Sequence, residues 1–306
     1  MNASSRNMFS VTLKMLLLAA AFVLRLFSSP LPALASDVLI IRDSDIKPYQ
    51  EVIEGFQKTC NCSTLEMDLS DLDAIESALK TKPDAVVALG TKALRHTRKI
   101  RNLPLIYAMV MPSEAVEATG KNVSGVSMDI APADYLTAMA GMFPSAKRIG
   151  VLFNPDQTGP YVKDASAAAL ETGSSLVLMP VANARKAPEL LHKLSGKIDV
   201  LWMLPDATIM NFETINAMLL FSFQNDVPIV SFSKKYVQMG AVAALTVAPR
   251  NMGEQAGELA RSLLRDGKGP LRVYAANPRL IVNTKVGVKI GVQINGKLFQ
   301  SGEKVE

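Results

Sequence analysis

From Asp37 onward, the sequence alternates short runs of continuous apolar residues with segments of helical length. The runs DAVVALG (84–90) and LPLIYAMVM (103–111) contain few polar residues, so they lack the polar alternation of a half-exposed strand. Continuous apolar strands that are separated by helices are typical of a parallel sheet covered on both faces. The sequence therefore predicts an α/β doubly wound fold.

The alternation is interrupted once and then begins again. Residues 119–132, TGKNVSGVSMDIAP, are rich in Gly, Asn and Ser, and a second set of strands and helices of similar size follows them. The last helix and strand are too few for a third domain, so we expect them to complete the first two units. The chain would then cross between two lobes three times, near residues 125, 247 and 276. The expected ranges are 36–125 plus 247–275 for the first lobe, 126–246 plus 276–300 for the second lobe, and 301–306 for a tail.

The first 35 residues have the layout of a secretory signal peptide. They contain no acidic residue, carry Arg6 and Lys14 before an apolar stretch, and end in Ala33-Leu34-Ala35. We expect cleavage after Ala35 and a periplasmic mature protein. A retained membrane anchor is the alternative, but the apolar run is short and Arg25 interrupts it. No Cys stands directly after the apolar run, which argues against a lipid anchor.

Most of the net positive charge of the chain belongs to this segment. Removing it leaves 30 basic against 28 acidic residues, so the net charge falls from +5 to +2. No stripe of Lys and Arg interleaved with aromatic residues remains, so we expect no nucleic-acid partner. No later segment is long and apolar enough to span a bilayer.

The residue types that carry metal, redox and catalytic chemistry are sparse. Cys60 and Cys62 are the only cysteines, and they form a bridge or remain two thiols. His96 and His192 belong to no Cys/His/Asp cluster, so we expect neither a metal site nor a cofactor. The sequence has no G-x-S-x-G, no P-loop and no G-x-G-x-x-G after a strand, and we expect no enzyme. A small α/β enzyme remains the less favoured alternative.

Ligands of open α/β units bind beyond the carboxyl ends of the strands, where loops lead into helices. This rule selects nine residues as candidates for ligand binding: Ser44, Asp45, Gly90, Thr91, Asn154, Asp206, Thr208, Ser231 and Phe232. Several of them have an ordinary structural explanation as well. Asp206 with Thr208 is a good helix cap, Asn154 is a good turn former, and Ser44 with Asp45 stands where a helix begins.

The chemistry of these candidates suits a zwitterion. The backbone N–H groups and hydroxyl at Gly90-Thr91 could hold a carboxylate with help from the helix dipole, and Asp206 on the opposite lobe could meet an ammonium group. Gly90 as a turn and Thr91 as a cap are the alternative. Met109, Met111 and Met128 are either an adaptable lining of the cleft or buried packing.

Three long segments carry a resemblance to a known family. They are residues 124–155 (SGVSMDIAPADYLTAMAGMFPSAKRIGVLFNP), 200–218 (VLWMLPDATIMNFETINAM) and 227–294, which begins VPIVSFSKKYVQMG. Between Asp37 and about Gln300 the chain resembles the periplasmic substrate-binding proteins of ABC transporters, in the subfamily with tryptophan- or tyrosine-type members. The resemblance implies a type I periplasmic-binding fold with two Rossmann-like lobes, three hinge crossovers and a ligand held between the lobes as they close.

The same resemblance implies the partners. A monomeric binding protein of this kind delivers its ligand to an ABC permease and ATPase, and the alternative is a ligand sensor that engages a membrane signalling receptor. After Gly240 the chain has AVAALTVAP where the family more often has a Gly-rich segment with Ser and Tyr. Together with a single tryptophan, Trp202, inside an apolar strand, this departure favours a cleft with few aromatic side chains.

Overall fold

The protein is described from a computed structural model, which covers residues 37–100, 102–111, 115, 122–267, 272–291 and 303–305. The expected signal peptide, residues 1–35, lies outside the described residues. Within them, no helix has both the length and the apolar character needed to cross a membrane.

The first lobe is built on a five-stranded parallel sheet with the order β2-β1-β3-β4-β5. All five residues of Ala85–Leu89 are buried, as expected for a central strand of a sheet covered on both faces. The strands are β1 (Asp37–Arg42), β2 (Ser63–Asp68), β3 (Ala85–Leu89), β4 (Leu105–Val110) and β5 (Val123–Ser127).

The second lobe is built on a seven-stranded sheet with the order β12-β11-β10-β9-β8-β6-β7. Strand β11 is antiparallel to β10, and the other pairs are parallel. The strands are β6 (Arg148–Phe153), β7 (Ser175–Pro180), β8 (Val200–Trp202), β9 (Ile229–Ser231), β10 (Ala243–Thr246), β11 (Arg279–Asn283) and β12 (Glu303–Val305). The two sheets confirm the predicted α/β class with two lobes.

Helices follow the strands in both lobes. They are α1 (Lys47–Cys60), α2 (Leu72–Lys80), α3 (Thr91–Thr97), α4 (Pro132–Met142), α5 (Pro155–Glu171), α6 (Ala187–His192), α7 (Phe212–Asn225), α8 (Lys234–Met239), α9 (Pro249–Asp266) and α10 (Thr284–Lys289). Proline at the first position of α4, α5 and α9 fits the missing N–H of that position. Asn211 and Asn283 cap α7 and α10 through their side-chain oxygens.

The connections return the chain to both lobes. It leaves the first sheet after Ser127 and enters α4 of the second lobe, and after β10 it returns as α9, which packs on α1. It then pairs Val273 with Val126 beside β5 and re-enters the second sheet as β11. The strand β5 reaches two residues beyond the expected boundary at 125, because Ser127 pairs with Val110.

Two details differ from the expectations. Residues 301–306 were expected as a tail, but Glu303–Val305 form the edge strand β12 and pair with β11. Asp206 with Thr208 was offered as a helix cap, but helix α7 begins only at Phe212 with Asn211 as its cap, since the residues before Asn211 turn around the Asp206 carboxylate.

The two cysteines form a bridge at the end of α1. Cys60 and Cys62 are joined by a disulfide, and Asn61 between them has a left-handed backbone (φ 57°). The bridge therefore joins the last residue of α1 to the residue before β2.

Candidate functional site

The carboxyl ends of the strands carry the predicted site residues in both lobes. The loops concerned are those that follow β1, β3, β4 and β5 in the first lobe and β6, β8 and β9 in the second lobe. Parallel strands place all these loops of a lobe at one edge of its sheet. We call each of these the carboxyl edge of its lobe.

The carboxylate that lies against the start of helix α3 at Gly90-Thr91 is that of Asp43, a residue of the same chain. The Asp43 carboxylate accepts the Lys92 N–H at 2.9 Å and the Tyr49 hydroxyl at 2.9 Å. Burial and the neighbouring carboxylate together raise the pKa of Tyr49 to about 12, so its hydroxyl stays a donor. The Lys92 N–H is therefore satisfied by Asp43 rather than left for a ligand carboxylate.

The same carboxylate leaves no room for a side chain at position 90. Its φ is +94°, and an added Cβ would lie 2.3 Å from the Tyr49 hydroxyl oxygen and 2.4 Å from Asp43 Oδ2. Thr91 is half-buried, and its hydroxyl oxygen accepts the Met111 N–H at 3.3 Å. Gly90 and Thr91 thus join the ends of β1, β3 and β4 at the first carboxyl edge.

Ser44 and Asp45 extend this edge toward α1. The Ser44 hydroxyl donates to Asp43 Oδ1 at 3.3 Å, and Ser44 is half-buried. The exposed Asp45 carboxylate accepts from Arg42 Nη1 at 2.7 Å and from Gln50 Nε2 at 3.1 Å. Asp45 therefore bonds to the strand before it, β1, and to the helix after it, α1.

In the second lobe, Asp206, Asn154 and Thr208 form one hydrogen-bonded cluster. Asp206 is only 1% exposed, and its carboxylate accepts the Asn154 N–H at 2.7 Å, the Thr158 hydroxyl at 2.7 Å and the Thr208 N–H at 2.9 Å. The Asn154 amide nitrogen donates to the Thr208 hydroxyl oxygen at 2.8 Å. Asp206 thereby ties the end of β6 to the end of β8, and its carboxylate is enclosed by these donors.

Ser231 and Phe232 differ in exposure. Ser231 is fully buried, and its hydroxyl donates to the Ala243 carbonyl oxygen of the neighbouring strand at 3.2 Å. Phe232 is half-buried, with its ring centroid 5.2 Å from that of Tyr236. Of these two, only Phe232 reaches the surface.

The sequence reasoning missed an ion pair at the crossovers. Arg272 donates to the Asp129 carboxylate, which also accepts the Ser127 hydroxyl at 3.0 Å. Asp129 is 5% exposed, and this burial raises the pKa of its carboxyl group although Arg272 and Ser127 oppose the shift. The pair joins the first crossover to the third across 143 positions of sequence, a distance over which spacing gives no signal.

An aromatic cluster adjoins this ion pair. The ring centroid of Trp202 lies 5.0 Å from that of Tyr135 and 5.9 Å from that of Tyr161, and Tyr161 lies 6.3 Å from Tyr274. The Tyr274 hydroxyl donates to Asp164 of α5 at 3.1 Å, so the third crossover is bonded to the second lobe. Trp202 is buried in β8 as expected, beside the segments that connect the lobes.

Two cavities lie on the second lobe away from its carboxyl edge. One of about 380 Å³ is lined by Asp199 and Pro228, which precede β8 and β9, and the other of about 290 Å³ lies between α7, α8 and α10. Neither contains a predicted site residue. Within the residues that the structure covers, no group of His, Cys, Asp and Glu could hold a metal ion.

Comparison with known proteins gives one family. Residues 50–306 match the family model described as ABC transporter substrate binding protein. A protein named tyrosine-binding protein, from Clostridioides difficile strain R20291, is 28% identical over 74% of this chain. The match spans 66% of that relative, slightly less than two thirds of its length.

Solved structures share the fold. A ligand-free, open substrate-binding protein with adhesive properties from Clostridium difficile has a TM-score of 0.68 at 19% identity, over 89% of this chain and 99% of the other. An ABC domain from Streptococcus pneumonia in complex with L-Trp has a TM-score of 0.58 at 18% identity, over 89% of this chain and 100% of the other.

Proposed function

Since this chain belongs to the family of ABC transporter substrate binding proteins, we propose that it is the exported solute-binding component of an ABC-type uptake system. It binds a small, amino-acid-like molecule between its two lobes and releases it unchanged. The family match over residues 50–306 carries this proposal, because it covers the second sheet, every strand of the first sheet except β1, and all three connections between the sheets.

The ligand class is supported by the relatives. The tyrosine-binding protein and the L-Trp complex both concern amino acids, and both carboxyl edges of this chain carry hydroxyl, amide and carboxylate groups. Such groups recognise the ammonium and carboxylate of an amino acid. Five of the nine predicted residues are at least partly exposed and are therefore the candidate contacts: Ser44, Asp45, Thr91, Thr208 and Phe232. The other four are buried and can only support the site: Gly90, Asn154, Asp206 and Ser231.

Closure of the lobes is the proposed mechanism. A ligand that contacts both carboxyl edges binds the closed state better than the open one, and only this difference in affinity shifts the population. The rotation is absorbed where the chain crosses, near Gly125, Thr246 and Ala276. The closed pair of lobes then presents a surface to the permease.

The single tryptophan offers a direct test. Trp202 is the only tryptophan in the sequence and is packed beside the connecting segments, so its fluorescence should respond to closure. We would titrate the protein with L-tyrosine, L-tryptophan, L-leucine, L-serine, sugars and nucleosides, and follow thermal unfolding in parallel. Thermal unfolding also reports binding of L-tryptophan, whose own fluorescence would mask that of Trp202. An amino acid that saturates at micromolar concentration and raises the unfolding midpoint supports the proposal. A response to sugars or nucleosides alone contradicts the ligand class, and no response to any of them favours a sensor or partner-binding role.

Replacing Thr91 with valine is expected to weaken amino-acid binding about tenfold, because the hydroxyl is lost while the volume is kept. The unfolding midpoint should change little, since Thr91 is half-buried and its hydroxyl accepts a single 3.3 Å hydrogen bond. Thr172→Val is the matched control, because its hydroxyl donates to Ala169 O at the far end of α5. Unchanged affinity in Thr91→Val would remove Thr91 from the site.

A further inference from the structure

Two exposed methionines stand side by side at the first carboxyl edge. Val110, the last residue of β4, pairs with Ser127, the last residue of β5, so Met111 and Met128 follow at equivalent positions on neighbouring strands. Met111 is 40% exposed and Met128 is 41% exposed. Two adjacent large apolar side chains open to solvent at this edge form a surface without an evident role in the core.

The backbone just before this surface is unusual. Met109 has a left-handed backbone with φ of +57°, and the register between β4 and β5 shifts between Tyr107 and Val110. A bulge of this kind re-aims the residues that follow it, and a positive φ is uncommon for a residue other than glycine. Residues held in uncommon backbone conformations cluster at active sites and ligand clamps.

The methionines also adjoin a predicted contact. The Met111 N–H donates to the Thr91 hydroxyl oxygen, so the backbone of Met111 lies next to the polar groups at Gly90-Thr91. A polar group beside a flexible apolar surface matches the two ends of an amino acid, its charged backbone and its side chain. Thioethers adapt to the shape of an apolar partner and make favourable contacts with aromatic rings.

We propose that Met111 and Met128, aimed by the bulge at Met109, form the surface that receives the side chain of the ligand. The substrate class is then amino acids with an aromatic or long aliphatic side chain, and polar amino acids are selected against. This inference rests on the proposed function, because it takes the carboxyl edge to be the ligand site. The surface also accounts for recognition of an apolar side chain without requiring an aromatic residue at this edge.

Oxidative footprinting of the unmodified protein tests the inference. Dilute hydrogen peroxide converts accessible methionines to sulfoxides, and mass spectrometry of the peptides gives the rate at each position. Met239, at the end of α8 in the second lobe, is 37% exposed and is the matched internal control. We expect saturating L-tyrosine, L-tryptophan or L-leucine, whichever binds in the Trp202 titration, to slow oxidation of Met111 and Met128 at least threefold while the rate at Met239 is unchanged.

The outcomes separate this inference from the proposed function. If an apolar amino acid binds and Met111 and Met128 still react at the ligand-free rate, the methionine surface is wrong and the proposed function stands. If L-serine binds as tightly as the apolar amino acids, the substrate class is wrong. If no amino acid binds the protein at all, the proposed ligand class fails and this inference fails with it.

Variants give a second measurement. The double variant Met111→Gln, Met128→Gln keeps the length of both side chains but makes them polar, and we expect its affinity for the apolar amino acid to fall at least tenfold. Met239→Gln should bind as the unmodified protein does. Equal affinity of the double variant and the unmodified protein would overturn the proposal. If the double variant fails to fold, the footprint of the unmodified protein decides.

Discussion

Replacing Gly253 with alanine is expected to lower the free energy of unfolding by about 3 kcal/mol, an effect at the upper end of the range for overpacking. Helix α9 crosses α1 so closely that a Cβ at Gly253 would lie 2.0 Å from the Val52 carbonyl oxygen. The obstacle is backbone, which cannot turn aside as a side chain does, so the two helices must separate. For a chain of this length the unfolding midpoint should fall by about 5–10 °C.

Gly159→Ala is the matched control for this change. Gly159 also lies within a helix, α5, but nothing other than its chain neighbours and its own helix backbone stands within 4 Å of the position of its Cβ. Alanine is more favourable than glycine inside a helix, but the following Pro160 disfavours a helical residue with a Cβ before it, so this variant should change the unfolding midpoint little. Equal midpoints for Gly253→Ala and Gly159→Ala would contradict the close packing of α1 and α9.

The contact has a consequence for the hinge. Helix α9 begins at Pro249, three residues after the end of β10, and it holds the returning chain on the first lobe. Across the same helix pair, Gly55 would meet the Arg250 carbonyl oxygen at 2.2 Å if it carried a Cβ. The glycines thus fix α9 against α1 next to one connection between the lobes, and loosening them should disturb closure as well as stability.

The sequence was sufficient for the fold because the decisive signals are local. Strand β3 is apolar over its whole length, and every residue from Ala85 to Leu89 is buried. The loops that enter helices could be located for the same reason, since a strand followed by Gly or Asn and a helix can be read within ten residues. The family resemblance extended this result to the order of the segments and to the return of the chain.

The site was harder to predict because its partners are distant in sequence. Asp43 meets the Lys92 N–H across 49 positions, and Asp206 meets the Asn154 N–H across 52 positions. The sequence marks Asn154 and Asp206 as standing at a carboxyl edge, but it cannot show that two residues selected as separate ligand contacts bind each other, and it does not select Asp43 at all. Asp129 and Arg272 were missed altogether, because only the folded crossovers bring them together.

Asp206→Ala is expected to lower the free energy of unfolding by about 3 kcal/mol, because it leaves buried donors without an acceptor. The Asn154 and Thr208 N–H groups and the Thr158 hydroxyl all donate to this carboxylate, which is 1% exposed. The ends of β6 and β8 would then lose the group that joins them. Thermal unfolding of the variant without ligand measures the effect.

Asp45→Ala is the control for this variant, since Asp45 is an exposed carboxylate paired with Arg42 and should change the midpoint little. The comparison separates two roles that the sequence left open for Asp206. A carboxylate that served only to contact the ligand ammonium could be removed with a loss of affinity and an unchanged midpoint in the absence of ligand. A large loss of stability without ligand means instead that Asp206 builds the second carboxyl edge and holds Asn154 and Thr208 in position. Any loss of affinity in the variant would then result from the displacement of Asn154 and Thr208.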